Sequence, residues 1–123
     1  MQIKKILYLE ENSLIAKSYI LNLKNNGLAV DWLSNGAQGL TAARNNNYDL
    51  IVLDAILPEK NAYEIISALR QKEDLIPNTK IIILTNYELT QKNKEDLVSL
   101  SDGYFIKSDT SPKKLLELIN KKY

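Results

Sequence analysis

Five times along this 123-residue chain, a short apolar run gives way to a stretch whose apolar residues recur at helical spacing. The runs cover residues 3–9, 28–33, 50–54, 80–85 and 104–107, and they are rich in Ile, Leu, Val and Tyr. "LIVLD" and "KIIILT" are apolar without interruption, as expected of central strands covered on both faces. Strict alternation of strand and helix calls for right-handed crossovers, and so for one parallel five-stranded sheet with helices on both sides.

The helical stretches carry their own punctuation. Residues 13–25 place Leu14, Ile15, Ser18, Tyr19 and Leu23 near one face, and Gly27 follows as a C-terminal cap. Residues 36–46 form a weaker candidate. Residues 61–72 carry Tyr63, Ile65, Ile66 and Leu69 at helical spacing, and residues 88–100 are polar early and apolar late. Ser111 is placed to cap a last helix with Pro112 at its first position, sending Leu115, Leu116 and Ile119 inward. No linker, repeat or low-complexity segment divides the chain, so residues 1–123 are expected to form a single domain.

Composition removes whole classes of chemistry. Without cysteine there are no disulfides, thiol nucleophiles or thiolate metal sites, and without histidine the commonest metal ligand and general base is missing. A net charge of +1 makes no chain-wide case for nucleic acid or membrane surfaces. The apolar run before Glu10 is too short for a signal-peptide core, and no later run approaches a membrane span, so a cytoplasmic protein is expected.

In open α/β sheets, ligands bind beyond the carboxyl ends of the strands. The residues ending these strands are Glu10 and Glu11 after the first, Asp54 after the third, Thr85 after the fourth and Lys107 after the fifth. Adjacent carboxylates such as Glu10 and Glu11 repel one another unless a cation or donors compensate them. Three acids with oxygen-only ligation suit a hard divalent cation such as Mg²⁺. A carboxylate beside Mg²⁺ can attack phosphorus to form an aspartyl phosphate, with a lysine and a hydroxyl meeting the charge on the phosphoryl oxygens. Taken singly, each residue has a plainer reading: Asp54 as a turn cap, Thr85 as an ordinary strand residue, Lys107 as a solvated charge, Tyr104 as packing. Trp32 reads as a packing residue near an edge strand.

The acidic pair in "ILYLEEN", "DLIVLDAILP", "IIILTN" and "GYFIKS", occurring in this order across nearly the whole chain, resemble the receiver domain of two-component response regulators. The resemblance implies a flavodoxin-like (βα)5 fold with strand order 2-1-3-4-5. It implies that Asp54 accepts a phosphoryl group from a sensor histidine kinase or histidine phosphotransfer protein, that Glu10, Glu11 and Asp54 hold Mg²⁺, and that Thr85 and Lys107 bind the phosphoryl group. Tyr104 matches the aromatic switch residue on the face of the fourth helix, fifth strand and fifth helix, through which a downstream protein or output domain is contacted. Pro58 matches the family's proline. Such a domain is a switch with self-catalysed phosphotransfer and no diffusible product, and it is not expected to bind nucleic acid itself. A homodimer through the fourth and fifth helices is compatible with the pattern, though no residue specifies it.

Four residues depart from the pattern. Glu11 stands where the family usually has Asp, which moves a carboxylate by about an ångström when Mg²⁺ demands octahedral distances of about 2.0–2.1 Å, and so favours weaker binding or a more tolerant ion such as Mn²⁺. Ser108 replaces the proline that usually follows the lysine in a cis peptide. A trans bond is expected here, because a non-proline cis bond costs about 2.5–4 kcal/mol. Ala62 replaces a common glycine, and Asn86 replaces a small residue, crowding the approach to the phosphoryl group. These departures define the alternative, a pseudo-receiver that keeps the fold as a phosphorylation-independent interaction module. A flavodoxin-like enzyme or nucleotide binder is disfavoured, because the four glycines form no phosphate-cradling loop.

Overall fold

A computed structural model describes residues 2–70, 76–86 and 91–123. The elements alternate as expected: β1 (Lys5–Leu9), α1 (Ser13–Asn25), β2 (Ala29–Leu33), α2 (Gly36–Asn45), β3 (Leu50–Leu53), α3 (Ala62–Leu69), β4 (Lys80–Thr85), α4 (Gln91–Leu100), β5 (Gly103–Ile106) and α5 (Pro112–Lys122). All strand pairs are parallel, in the order β2-β1-β3-β4-β5, which is the flavodoxin-like order. The expected helix end at Lys72 and the helix start at residues 88–90 lie outside the described residues.

The two-residue period of the strands splits the core in two. Leu7, Leu9, Ile51, Leu53, Ile81 and Ile83 point to one face, where they meet Leu40 and Ala43 of α2, Ile65, Ile66 and Leu69 of α3 and Leu97 of α4. Ile6, Tyr8, Leu50, Val52, Ile82 and Leu84 point to the other, against Ala16, Tyr19, Ile20 and Leu23 of α1 and Leu115 and Ile119 of α5. Central strands are buried on both faces and so read as unbroken apolar runs, whereas on edge strand β2 only Val30 is buried.

The inward stripe of α1 differs from the expected one. Ala16, Tyr19, Ile20 and Leu23 face the sheet at spacings of three and four, while Leu14 is 80% exposed and Ser18 is exposed. At 100° per residue Leu14 and Ser18 lie on the side of α1 opposite the Ala16, Tyr19, Ile20 and Leu23 stripe, which turns them away from the sheet. The helix ends as expected at Gly27, whose φ of 87° closes a double turn in which the amides of Gly27 and Leu28 donate to the carbonyls of Lys24 and Leu23. Gly36 is needed for a different reason. A Cβ there would lie 1.7 Å from the Lys60 carbonyl oxygen, so only glycine lets the start of α2 dock on the β3–α3 loop, where its amide donates to Pro58 O at 3.0 Å.

Candidate functional site

Four strands deliver the site by running slightly past their ends. The Glu10 amide donates to Leu33 O at 3.2 Å and its carbonyl accepts the Trp32 indole N–H at 2.8 Å, so the residue after β1 is held on both sides of its backbone. The Asp54 amide donates to Leu9 O at 3.1 Å, extending the β1–β3 ladder by one step. Thr85 is the last residue of β4, and Lys107 opens a single 3-10 turn (Lys107–Asp109) directly after β5. Side chains from four separate stretches of sequence therefore meet at one edge of the sheet.

All four are buried: Glu10 is 3% exposed, Asp54 4%, Thr85 0% and Lys107 9%. Lys107 Nζ donates to Asp54 Oδ2 at 2.6 Å and also to Glu10 Oε1. Asp54 Oδ1 accepts the Thr85 hydroxyl at 2.8 Å and the Ile56 amide at 3.3 Å. Both oxygens of Asp54 are thus met by donors aimed from other segments, an arrangement that strengthens hydrogen bonds by excluding water.

The protonation shifts tell one story. Burial pushes the Glu10 carboxyl up from its usual 4.5, the Asp54 charge adds to this, and the Lys107 ammonium only partly opposes it. For Lys107, burial pulls downward, but the hydrogen bonds and charges of Asp54 and Glu10 outweigh it and hold the ammonium above its usual 10.5. A buried group of two carboxylates and one ammonium carries a net negative charge, so it retains protons and favours additional positive charge.

Glu11 is the exception among the strand-end residues. It lines the same cleft, a cavity of about 310 Å³ shared with Asn12, Ile56 and Asn86, but its side chain is exposed. Among the described residues no three acids are gathered tightly enough to form a ready-made metal centre. The donor chemistry nevertheless fits a hard divalent cation: the available ligands are carboxylate oxygens, and the buried cluster is short of positive charge. Tyr104 lies on β5 rather than in the cleft. It is half-buried against the apolar layer that includes Leu97 of α4, its phenol is pushed up by burial and by the Asp54 charge, and the Lys94 ammonium sits 5.6 Å from its ring centre.

The departures from the sequence pattern leave this cluster standing. No peptide bond among the described residues is cis, so Ser108 follows Lys107 in trans and the ammonium still reaches both acids. Ala62 is the first residue of α3, capped by Asn61, whose side chain accepts the Glu64 amide while Glu64 returns the bond to the Asn61 amide. The left-handed backbone of the loop falls instead on Glu59, with φ 68°. Asn86 is exposed at the cleft rim.

Two supporting residues have no local signature in the sequence. Trp32, expected only to pack, holds the Glu10 carbonyl. Tyr19, expected on the core face of α1, also sends its hydroxyl to the carbonyls of Thr110 and Lys107 at 2.6 and 3.4 Å. Asn12, not singled out from the sequence, stands before α1, lines the cleft and caps the amides of Leu14 and Ile15.

Comparison with known proteins bears on the family and the fold. The response regulator ArlR of Staphylococcus haemolyticus is 36% identical over 102 residues, covering 83% of this chain and 45% of that protein. The chain spans about 45% of the length of the curated relatives it matches first. A CheY-like response regulator receiver domain protein from Methanospirillum hungatei superposes with a TM-score of 0.83 at 26% identity, covering 98% of this chain and 94% of that one. The receiver domain of a Pseudomonas aeruginosa sensor histidine kinase, with magnesium coordinated in its active-site cleft, gives a TM-score of 0.80 at 25% identity, covering 94% and 93%. The response regulator receiver domain family matches residues 6–120, and with its strand order and these relatives the chain belongs to that family.

Proposed function

We propose that Asp54 accepts a phosphoryl group from a phosphohistidine on a sensor kinase or phosphotransfer protein. The observation that carries this reading is the convergence of Lys107, Thr85 and the Ile56 amide on the two oxygens of a buried Asp54. Phosphorylation-dependent switching is the standard function of receivers in this family. A carboxylate oxygen of Asp54 forms the new bond to phosphorus as the bond from phosphorus to the donor nitrogen breaks, leaving a neutral imidazole on the donor once it is protonated. Lys107 and Thr85 exchange their contacts with Asp54 for contacts with the phosphoryl oxygens, which supplies positioning and charge stabilisation without covalent chemistry. Glu10, Glu11 and Asp54 would hold Mg²⁺, which when bound neutralises charge on the phosphoryl oxygens; Mn²⁺ would serve with these ligands as well. Attack by water then releases inorganic phosphate and restores the carboxylate, so the domain catalyses its own reset.

The output follows from the same contacts. Drawing Thr85 towards a new charge changes the end of β4, beside Tyr104 on β5, and so biases the surface of α4, β5 and α5 presented to a downstream protein or output domain. Residues 1–123 act in this reading as one receiver domain, working in the cytoplasm and binding no nucleic acid itself. The phosphorylation-independent module is not favoured, because each departure from the pattern leaves the Asp54 cluster intact. The test is intact mass after incubation with acetyl phosphate, with Mg²⁺, with Mn²⁺ and without metal, beside Asp54→Asn. Metal-dependent gain of one phosphoryl group, absent in Asp54→Asn, is expected. No gain from acetyl phosphate or from a phosphohistidine donor would return the pseudo-receiver.

A further inference from the structure

We infer that Tyr19 of α1, assisted by Asn22, is the positioning residue that sets the reach of Lys107. The inference rests on the reading of Lys107 as the cation that meets the phosphoryl group. A lysine ammonium ends a flexible four-carbon stem, so its position depends on where its backbone is held. β5 is an edge strand whose ladder with β4 ends at Ile106, and the next residues turn away from the sheet. Ser108 follows through an ordinary trans bond, so local covalent chemistry does not fix this turn.

The anchor comes from across the fold. The Tyr19 hydroxyl donates to Thr110 O at 2.6 Å, with Lys107 O at 3.4 Å as a longer second acceptor. Thr110 is 2% exposed and its amide donates to Lys107 O at 3.1 Å, so holding the Thr110 carbonyl also holds the Lys107 backbone. Three residues further along α1, on the same side of the helix, Asn22 Nδ2 donates to Pro112 O at 3.0 Å. The two side chains clamp both ends of the 110–112 segment to α1. Filling the core does not require the hydroxyl: the Tyr19 ring stacks on Tyr8 with centroids 6.2 Å apart, and phenylalanine would do the same.

The experiment compares the full chain with Tyr19→Phe, Asn22→Ala and Ile20→Val. Ile20 is a neighbouring core residue of α1, and its truncation gives a stability loss without touching the 107–112 segment. The first measurement is a pulse of acetic anhydride at one pH, with modification of Lys107 read by peptide mass and compared with that of the exposed Lys113. The second is the rate of Asp54 phosphorylation. Tyr19→Phe is expected to raise Lys107 acylation about tenfold and to slow phosphorylation by about tenfold, short of the ~100-fold that a misplacement of about 1 Å can cause. Asn22→Ala should move both in the same direction by less, and Ile20→Val should move neither. If Tyr19→Phe and Asn22→Ala acylate like Ile20→Val, the inference is overturned. A wild-type chain that takes no phosphate would sink the phosphoacceptor reading, while the acylation comparison would still decide the role of Tyr19.

Discussion

The two ends of the sheet carry the same kinds of side chain and use them differently. At the amino ends of the strands stand two acids, a threonine and a cation: Asp49, Asp102, Thr79 and Arg70. There the side chains serve mainly the backbone, although the Arg70 guanidinium also lies 3.7 Å from Asp102 Oδ2. Asp49 Oδ2 accepts the amides of Lys4 and Lys5 at 2.9 Å each, Asp102 Oδ2 accepts the Ile81 amide at 2.8 Å, Thr79 donates to Tyr48 O at 2.6 Å, and Arg70 donates to Ile76 O at 2.8 Å. At the carboxyl ends Glu10, Asp54, Thr85 and Lys107 bond mainly to one another. Lone pairs used by a strand's own backbone are committed to the fold. Lone pairs held by the side chains of neighbouring strands can be exchanged for a ligand, and that separates an acid that builds the sheet from one that can do chemistry.

The largest effect that tests this comparison is expected at Lys107. Lys107→Met leaves Glu10 and Asp54 buried without their counter-charge, so chemical denaturation should show a loss of about 3–5 kcal/mol. Phosphorylation of the folded fraction should fall by about 10²–10³, the usual consequence of removing one charge-stabilising donor. At the opposite end Asp49→Asn should cost about 1–2 kcal/mol through weakened strand-end hydrogen bonds, and leave the phosphorylation rate unchanged. A rate that falls as far in Asp49→Asn as in Lys107→Met would erase the distinction between the two ends.

The pH dependence of stability sharpens it further. Because Glu10 is held above 4.5, the folded protein takes up its proton more readily than the unfolded chain does. Its contribution is fully present below 4.5 and is lost as pH rises through the folded value. Glu10→Gln removes that loss, so the difference in denaturant midpoint should shift in favour of the variant between pH 4 and pH 7, values chosen to bracket that window. A difference that is flat with pH would contradict the raised carboxyl. The smallest effect belongs to Glu11, which is exposed: Glu11→Asp should leave stability within about 0.5 kcal/mol while tightening Mg²⁺ binding in a calorimetric titration.

The parts of the molecule legible from sequence are those with a local cause. β1, β3 and β4 announce themselves because burial on both faces demands unbroken apolar runs, and the site positions follow because the rule for parallel sheets selects strand ends. The expected face of α1 differs from the observed one, since Leu14 and Ser18 share a stripe with each other but lie opposite Ala16, Tyr19, Ile20 and Leu23, and which stripe meets the sheet is decided by packing. Glu59 takes a left-handed φ of 68° that nothing in its residue type signals. Trp32 and Tyr19 act through hydrogen bonds to residues 22 and 91 positions away, and such pairings are fixed only when the crossovers fold.

The central claim is that the exchangeable cluster at the carboxyl ends makes Asp54, and no other acid, the phosphoacceptor. The most direct measurement is chemical trapping: the chain is treated with acetyl phosphate and Mg²⁺, reduced with borohydride, which converts an aspartyl phosphate to homoserine, and mapped by peptide mass. Homoserine at position 54 alone, dependent on metal and lost in Lys107→Met, is the predicted result. Trapping at Glu10, Glu11 or Asp49, or none at any acid while the fold is intact, would contradict it.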